Sequence, residues 1–203
     1  MTVPPTSETL RLEDLSDEAL LSLSIRDKEC FYTLMRRYEK KLFAYIRRTA
    51  IISREDAEDI LQEVYLKVYR NQKGFNPDLK FSNWIYRITR NEAVTMMRKK
   101  KHRAGMVSID DTFHDMAGLK HLFADACDIQ EAYFSEERAD LIRKALYDIP
   151  EKHREVLILR YFEDKSYDEI SDILKIPQGT VATLISRAKK QVEKIAKRIN
   201  LMD

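Results

Sequence analysis

The sequence predicts an all-α protein: two small helical domains joined by a flexible acidic linker, the C-terminal one a helix-turn-helix. Three observations lead to this fold class. The 203 residues include only four glycines and five prolines, so tight turns are few. Apolar residues recur at helical spacing almost throughout, and the alternation typical of strands is hard to find. We expect the domains at 1–103 and 136–203, with the linker at 104–135.

Composition narrows the possible classes of protein. Hydrophobic residues make up 44% of the chain and form no run of membrane-spanning length. The N-terminus lacks the basic start and apolar stretch of a secreted protein. We therefore expect a cytoplasmic protein without membrane insertion. Cys30 and Cys127 lie far apart and outside any CxxC pattern, which favours reduced thiols, with a disulfide as the alternative.

Capping residues and apolar stripes predict three helices in the N-terminal half. Ser16 precedes a short helix, and a break at 26–28 precedes a longer one. Ser53, with Asp56 three residues later, begins a third helix that ends near Arg70. The buried side of the second helix is predicted to hold Phe31, Leu34, Tyr38, Leu42, Tyr45 and Ile46.

The third helix has two different faces. Its inward face is predicted to be Ala57, Ile60 or Leu61, Val64 and Val68. The opposite face is acidic and aromatic, with Asp59, Gln62, Glu63, Tyr65 and Tyr69. A strip of this kind is often an ordinary solvated surface. No histidine or second carboxylate cluster joins it in sequence, so we expect no metal site.

A loop and a fourth helix follow, rich in aromatic and basic residues. Gly74 to Asp78 mark the loop, and Ser82 is the predicted N-cap of a helix that runs into the basic block Arg98 to Arg103. Cations beside flat rings suit single-stranded nucleic acid, where stacking contributes about 1–3 kcal/mol per base. Phe75 is the favoured stacking residue, whereas Trp84 is better explained as core.

Charge is segregated along the chain, although its 36 basic and 34 acidic residues nearly balance. After the basic block, the stretch from 104 to 137 contains eight acidic residues and, as its only basic residue, Lys120. Two basic surfaces joined by an acidic linker suit a protein that holds nucleic acid at two separated places. The alternative is a solvated helix end followed by an ordinary loop.

The stretch from 166 to 188 predicts a helix-turn-helix. Ser166 and Glu169 form a capping box, and Ile170, Ile173 and Leu174 make an apolar stripe. Pro177 and Gly179 mark the turn, and a second stripe follows at Val181, Leu184 or Ile185, Ala188, Val192 and Ile195. The second helix is basic, which suits entry into a DNA groove. Its candidate base contacts are Gln178, Thr180, Thr183 and Ser186. The alternative, for this helix pair taken alone, is a solvated corner of a helical bundle.

The two halves together resemble the extracytoplasmic-function group of bacterial RNA polymerase sigma factors. The resemblance rests on DAEDILQEVYLKVY, KFSNWIYRITRN before a basic block, IPEKHREVLILRYFEDKSYDEIS and PQGTVATLISRAKK, in the order of that family. It implies a promoter-specificity subunit with no catalytic residues, metal or cofactor of its own.

The resemblance also implies roles for particular residues. Asp59, Gln62, Glu63, Tyr65 and Tyr69 would dock on the clamp helices of the largest polymerase subunit. The −10 element would be contacted by Asn71, Phe75, Lys80, Ile88, Asn91, Arg98, Lys99, Lys100, Lys101 and Arg103. The −35 element would be contacted by Gln178, Thr180, Thr183, Ser186, Arg187 and Lys190. The C-terminal domain would also pack on the polymerase flap, and an anti-sigma factor would be a further partner.

Some positions depart from the family. Ala182 and Leu184 stand where relatives usually carry bases, so the −35 sequence does not transfer from them. Ser171 and Lys175 replace a small residue and the usual turn glycine.

Two other functions are alternatives to this one. One is a transcription regulator that binds duplex DNA without melting it, against which the aromatic and basic segment from 75 to 103 argues. The other is a small nuclease, against which stand the missing phosphate loop and HExxH motif and four scattered histidines.

Overall fold

Seven α-helices make up most of the described chain, which in this computed structural model comprises residues 11–50, 52–101, 122 and 148–198. No strand occurs within those ranges. The N-terminal helices are α1 (Asp17–Leu23), α2 (Lys28–Thr49), α3 (Arg54–Asn71) and α4 (Phe81–Lys101). The C-terminal helices are α5 (Glu151–Leu157), α6 (Tyr167–Leu174) and α7 (Gln178–Arg198). In the described ranges, no helix has an apolar stretch long enough to cross a bilayer.

Local capping signals begin four of the helices, three of them with the caps that the sequence predicts. The Ser16 hydroxyl accepts a hydrogen bond from the Ala19 amide at the start of α1. The Asp27 carboxylate caps α2. Complete capping boxes begin α3 and α6, formed by Ser53 with Asp56 and by Ser166 with Glu169. Each box satisfies two amides that would otherwise lack a partner.

The N-terminal domain packs α2, α3 and α4 around one apolar core. The predicted inward stripe of α3 is buried, and both Ile60 and Leu61 belong to it. On α2, the predicted stripe is buried except for Phe31, which is half-buried. Aromatic rings meet edge to face inside this core, as between Tyr45 and Tyr86, whose centroids lie 5.1 Å apart. The rings give α4 a fixed position against α2.

The start of α4 differs from the prediction. The helix begins at Phe81, so Ser82 lies inside the first turn rather than at the N-cap. The Phe81 amide instead donates to the Glu18 carboxylate of α1, at 2.8 Å. A side chain 63 residues away in sequence therefore supplies the cap, and it fixes α1 to the end of the loop that precedes α4.

The turn between α6 and α7 is made without glycine. Lys175 adopts a left-handed conformation, with φ of 55°, and Gly179 lies in the first turn of α7 rather than in the connection. The Ser171 hydroxyl donates to the Ile176 carbonyl at 2.6 Å and closes the turn. The two departures from the family pattern thus act together, since Ser171 stabilises the turn that Lys175 must make.

Replacing Lys175 by glycine should stabilise the C-terminal domain. A residue with a Cβ costs about 1–2 kcal/mol in the left-handed region, and glycine removes this cost while giving up the Lys175 ion pair to Asp172 and adding disorder to the unfolded chain. We expect a net gain of about 0.5–1 kcal/mol in the free energy of unfolding, measured by urea denaturation. Lys194→Gly, at an exposed site inside α7, is the control and should lose about 1 kcal/mol. A loss at Lys175 as well would contradict this account of the turn.

Candidate functional site

The acidic face of α3 is exposed as a continuous row. Asp59, Gln62 and Glu63 all point to solvent, one helical turn apart. Tyr69 continues the row and is 45% exposed, and its ring meets Phe31 of α2 edge to face at 5.4 Å. Tyr65 is only half-buried at the edge of this row, and its hydroxyl is enclosed without a hydrogen-bond partner among the described residues. Burial raises the pKa of Tyr65, so it stays a neutral phenol.

One apolar residue extends this face beyond the predicted set. Leu66 is 45% exposed. It lies four residues after Gln62 and three before Tyr69, so helical spacing alone places it on the same face. The face therefore combines carboxylates with exposed apolar side chains, a composition typical of a protein-binding surface.

The second candidate surface is formed by the loop after α3 together with one face of α4. Phe75 is half-buried and packs on Trp84, with centroids 5.0 Å apart. Ile88 and Asn91 follow Trp84 along the same face of α4, and Asn91 is exposed. Trp84 is half-buried and packs against the apolar core, where its ring meets that of the buried Phe81. The structure thus joins the loop aromatic to a strip of α4 that offers an aromatic, an aliphatic and an amide side chain in succession.

The other residues predicted for this surface differ in their exposure and in their partners. Asn71 is exposed, but its side-chain amide donates to the Lys67 carbonyl at 2.7 Å. Lys80 is exposed and paired with Glu169 of α6 at 3.1 Å. Arg98 and Lys99 are exposed on the last turns of α4. The helix continues through Lys100 and Lys101, whose side chains are not described, and Arg103 lies outside the described residues.

The third candidate surface is the N-terminal half of α7. All six predicted DNA-contacting residues on it are exposed: Gln178, Thr180, Thr183, Ser186, Arg187 and Lys190. Thr183 also donates its hydroxyl to the Gly179 carbonyl at 2.8 Å, so its base contacts would be made by the methyl group and the oxygen lone pair. Val181, Ile185, Ala188 and Val192 hold the opposite side of α7 in the core.

The two positions at which relatives usually carry basic residues differ in their exposure. Ala182 is exposed beside the candidate contacts. Leu184 is half-buried and packs against the apolar core, although Ile185 rather than Leu184 is the fully buried member of the pair. Of the two positions, only Ala182 therefore leaves an exposed site on this surface that a basic side chain could occupy.

Among the described residues, no three histidine, cysteine or carboxylate side chains lie close enough together to hold a metal ion. Cys30 is a buried free thiol, and Cys127 lies outside the described residues.

Two models of protein families match this chain. Residues 34–103 match sigma-70 region 2, and residues 139–192 match sigma-70 region 4. The first match covers the acidic face of α3 and the α4 surface, and the second covers α6 and α7 as far as residue 192.

Two curated proteins are similar to this chain over most of its length. The chain is 31% identical to the ECF RNA polymerase sigma factor SigW of Bacillus subtilis, over 83% of this chain and 89% of that protein. It is 30% identical to the ECF RNA polymerase sigma-E factor of Haemophilus influenzae, over 89% of this chain and 95% of that protein.

The fold is similar to two solved structures. The first is CnrH in complex with the cytosolic domain of CnrY, with a TM-score of 0.64 at 19% identity, covering 90% of this chain and 97% of CnrH. The second is the sigma factor RpoE in complex with the anti-sigma factor NepR from Bartonella quintana, with a TM-score of 0.57 at 20% identity, covering 78% of this chain and 91% of RpoE.

Proposed function

Because the chain belongs to the extracytoplasmic-function (ECF) group of the sigma-70 family, we propose that it is the promoter-specificity subunit of a bacterial RNA polymerase. It binds core polymerase, recognises −10 and −35 promoter elements and promotes melting and initiation. The observation that carries this proposal is the co-occurrence, in one chain, of sigma-70 region 2 and region 4. The covalent chemistry of transcription belongs to the polymerase.

We assign polymerase binding to the exposed face of α3. Asp59, Gln62 and Glu63 supply charge and hydrogen-bonding groups, and Tyr65 and Tyr69 supply ring surface at its edge. We add Leu66 to this set, since it is exposed between Gln62 and Tyr69. Acidic side chains around apolar ones favour a basic partner surface with its own apolar groups, which gives both fast association and specificity. The partner surface we propose is the clamp helices of the largest subunit.

We assign −10 recognition to the loop and α4. An unpaired base that leaves the stack can lie against Phe75 and present its pairing edge to Asn91, with Ile88 between them. Arg98, Lys99 and the following basic residues would contact phosphates of the same DNA strand, next to the captured base. Melting is favoured because a captured base cannot return to the duplex.

We assign −35 recognition to the exposed N-terminal half of α7. A helix of this kind enters the major groove and contacts base edges with its first turns. Arg187 is suited to the O6 and N7 of guanine, whereas Gln178 is suited to adenine. The same domain would also pack on the polymerase flap. Because Ala182 stands in place of a basic residue, this chain would make one phosphate contact fewer than relatives that carry a lysine there.

Restoring a basic side chain at position 182 should strengthen DNA binding. Ala182→Lys adds one cation on an exposed surface, so binding to −35 duplex DNA should depend more steeply on salt, the log–log slope steepening by about 1. The measurement is fluorescence anisotropy of a labelled −35 duplex at salt concentrations from about 50 to 200 mM. Lys197→Ala, at the far end of α7, is the control and should leave the slope unchanged. An unchanged slope for Ala182→Lys would remove this residue from the DNA interface.

We also propose a protein inhibitor and a location. An anti-sigma factor would cover the polymerase-binding or DNA-binding faces. One structure with a similar fold is a complex with the anti-sigma factor NepR. The cytoplasm is the compartment in which we place the chain, because its proposed partners, polymerase and promoter DNA, are found there.

Assembly with polymerase tests the proposal directly. The labelled full-length chain is titrated with purified core polymerase, and a different purified sigma factor is then added as competitor. We expect saturable binding that the competitor displaces, since members of one family would share the clamp-helix site. Failure to bind core polymerase, or binding that the competitor leaves unchanged, would overturn the proposal.

A further inference from the structure

Helix α1 holds both ends of the loop between α3 and α4, which carries Phe75. At the far end of the loop, the Glu18 carboxylate accepts a hydrogen bond from the Phe81 amide at 2.8 Å. At its beginning, the Ser24 hydroxyl donates to the side-chain oxygen of Gln72 at 2.5 Å. Ser24 and Gln72 are only 3% and 8% exposed, so water has little access to this second contact. The loop is thereby fixed at two points about 9 Å apart along α1, at about 1.5 Å per residue.

Helix α1 is itself fastened to α2. The Asp17 carboxylate accepts hydrogen bonds from Arg37, at 2.8 Å, and from the Tyr38 hydroxyl. The Arg37 guanidinium also donates to three main-chain carbonyls between residues 12 and 15, just before α1. Leu20 is fully buried on the inner side of α1. Because charge-assisted hydrogen bonds and core packing both hold α1, it is a firm support for the loop.

The end of the loop that Glu18 holds leads directly into the proposed −10 surface. Phe81 is fully buried, and its ring centroid lies 5.3 Å from that of Tyr38 of α2. The Phe81 ring also meets Phe75 at 6.1 Å and Trp84 at 5.9 Å. Phe75 and Trp84 lie 5.0 Å apart, so the three rings form one cluster. Phe75, the proposed stacking residue, therefore takes its position from Phe81, whose amide is held by Glu18.

Between its two ends, the loop has only local hydrogen bonds. The Asp78 amide donates to the Asn76 side-chain oxygen at 3.0 Å, and the Leu79 amide donates to the Asn76 carbonyl at 3.1 Å. Among the described residues, no hydrogen bond joins residues 73–79 to another helix. Fixing the ends of such a loop removes conformations that would compete with the one that binds a ligand. The contacts from α1 are thus suited to preorganise Phe75.

We propose that α1 is a brace for −10 recognition, in which Glu18 and Ser24 are positioning residues that hold the loop so that Phe75 can receive an unpaired base. Neither residue has to touch DNA for this role. Without the brace, only a fraction of the chains would present Phe75 correctly, and the apparent affinity for the base would fall by that fraction. The role in base capture rests on the proposed function, whereas the bracing of the loop does not.

Fluorescence of Trp84 tests the brace in the free full-length chain. Trp84 is the only tryptophan of the sequence and lies against Phe75, so quenching by acrylamide reports the packing at this surface. Glu18→Ala removes the acceptor for the Phe81 amide and should increase the quenching. Glu18→Gln keeps an acceptor oxygen and should match the wild type. Glu29→Ala, which removes an exposed carboxylate from the first turn of α2, is the control and should also match it. Unchanged quenching in Glu18→Ala would overturn the brace.

The second anchor is tested in the same way. Ser24→Ala leaves the buried Gln72 side chain without its partner on α1 and should also increase quenching of Trp84. Ser22→Ala, at an exposed site of α1, is the control and should have no effect. Thermal melting of each variant checks that the chain is folded. Equal quenching in Ser24→Ala and Ser22→Ala would remove Ser24 from the brace.

Capture of an unpaired base supplies the functional outcome. The complex of core polymerase with each variant is titrated with a labelled non-template strand that spans the −10 element selected by the wild type. The same strand is then used with single bases removed, and the wild type should lose most affinity where the captured base is missing. Glu18→Ala should bind the intact strand about two- to tenfold more weakly than the wild type. It should bind the strand without the captured base as the wild type does, and Glu18→Gln should behave as the wild type on both strands.

The two strands separate positioning from a general loss of structure. A general loss would weaken binding of both strands equally, and this result would overturn the role of Glu18 in base capture. Normal binding of the intact strand by Glu18→Ala would overturn it as well. If the wild type bound neither strand, the proposed function and the role in base capture would both fail, while the fluorescence of Trp84 would still decide whether α1 braces the loop.

Discussion

Charge reversal at Asp59 and Glu63 is expected to abolish initiation by polymerase that carries this chain. Both carboxylates are exposed on α3 and point away from the core, so replacing them with lysine should leave the fold intact. At the interface, the new cations would face the basic partner surface that we propose. Like charges brought together across an interface cost several kcal/mol. We therefore expect at least about a 100-fold loss in affinity for core polymerase, and a matching loss of transcripts in a purified system.

The control uses the same change of charge on another exposed surface. Glu13→Lys with Asp14→Lys alters two exposed carboxylates in the short helical turn before α1, and it should keep wild-type binding. Thermal melting of both double variants checks that neither has unfolded. If the Asp59 and Glu63 variant bound core polymerase normally, the assignment of this face would be wrong.

Removing the side chain of Asn91 is expected to slow promoter melting without weakening assembly. Asn91 is exposed beside Ile88, so alanine should cost little stability. Paired hydrogen bonds from an amide to a base edge contribute about 1–3 kcal/mol, so open-complex formation should fall by roughly 10- to 100-fold. Affinity for core polymerase and for −35 duplex DNA should not change. The readout is reactivity of unpaired thymines with permanganate over time.

A second template separates base capture from other effects. On promoter DNA with a mismatched bubble at −10, the strands are already separated. The defect of Asn91→Ala on this template should therefore be smaller, and should reflect only its weaker binding of the unpaired base. Thr95→Ala, one turn further along α4 at an exposed position, is the control and should match the wild type. Normal melting by Asn91→Ala on intact DNA would contradict the proposed pocket.

The helices that the sequence predicted well are those that begin with local signals. Ser53 with Asp56, and Ser166 with Glu169, are three residues apart, and both capping boxes form as predicted. The buried stripes of α3 and α7 follow from helical spacing in the same way. Such features depend only on neighbours along one helix, so a single sequence is enough to find them.

Features that depend on distant residues were missed. The cap on α4 comes from Glu18, and the sequence offered Ser82 as the nearer candidate. The Leu184 and Ile185 alternative could be decided only by the packing of α6 against α7, which buries Ile185. The pairs that Glu155 and Glu163 form with arginines of α4 and α2 join residues from separate domains, and no spacing rule connects them.

Transcription from a promoter library by purified core polymerase, with and without this chain, tests the central claim most directly. No other sigma factor is present, so every start site that depends on the chain reports its own specificity. We predict starts that share two motifs at a fixed separation, one at −10 and one at −35. Binding to duplex DNA with no gain in initiation would contradict the account, and would indicate a helix-turn-helix regulator instead.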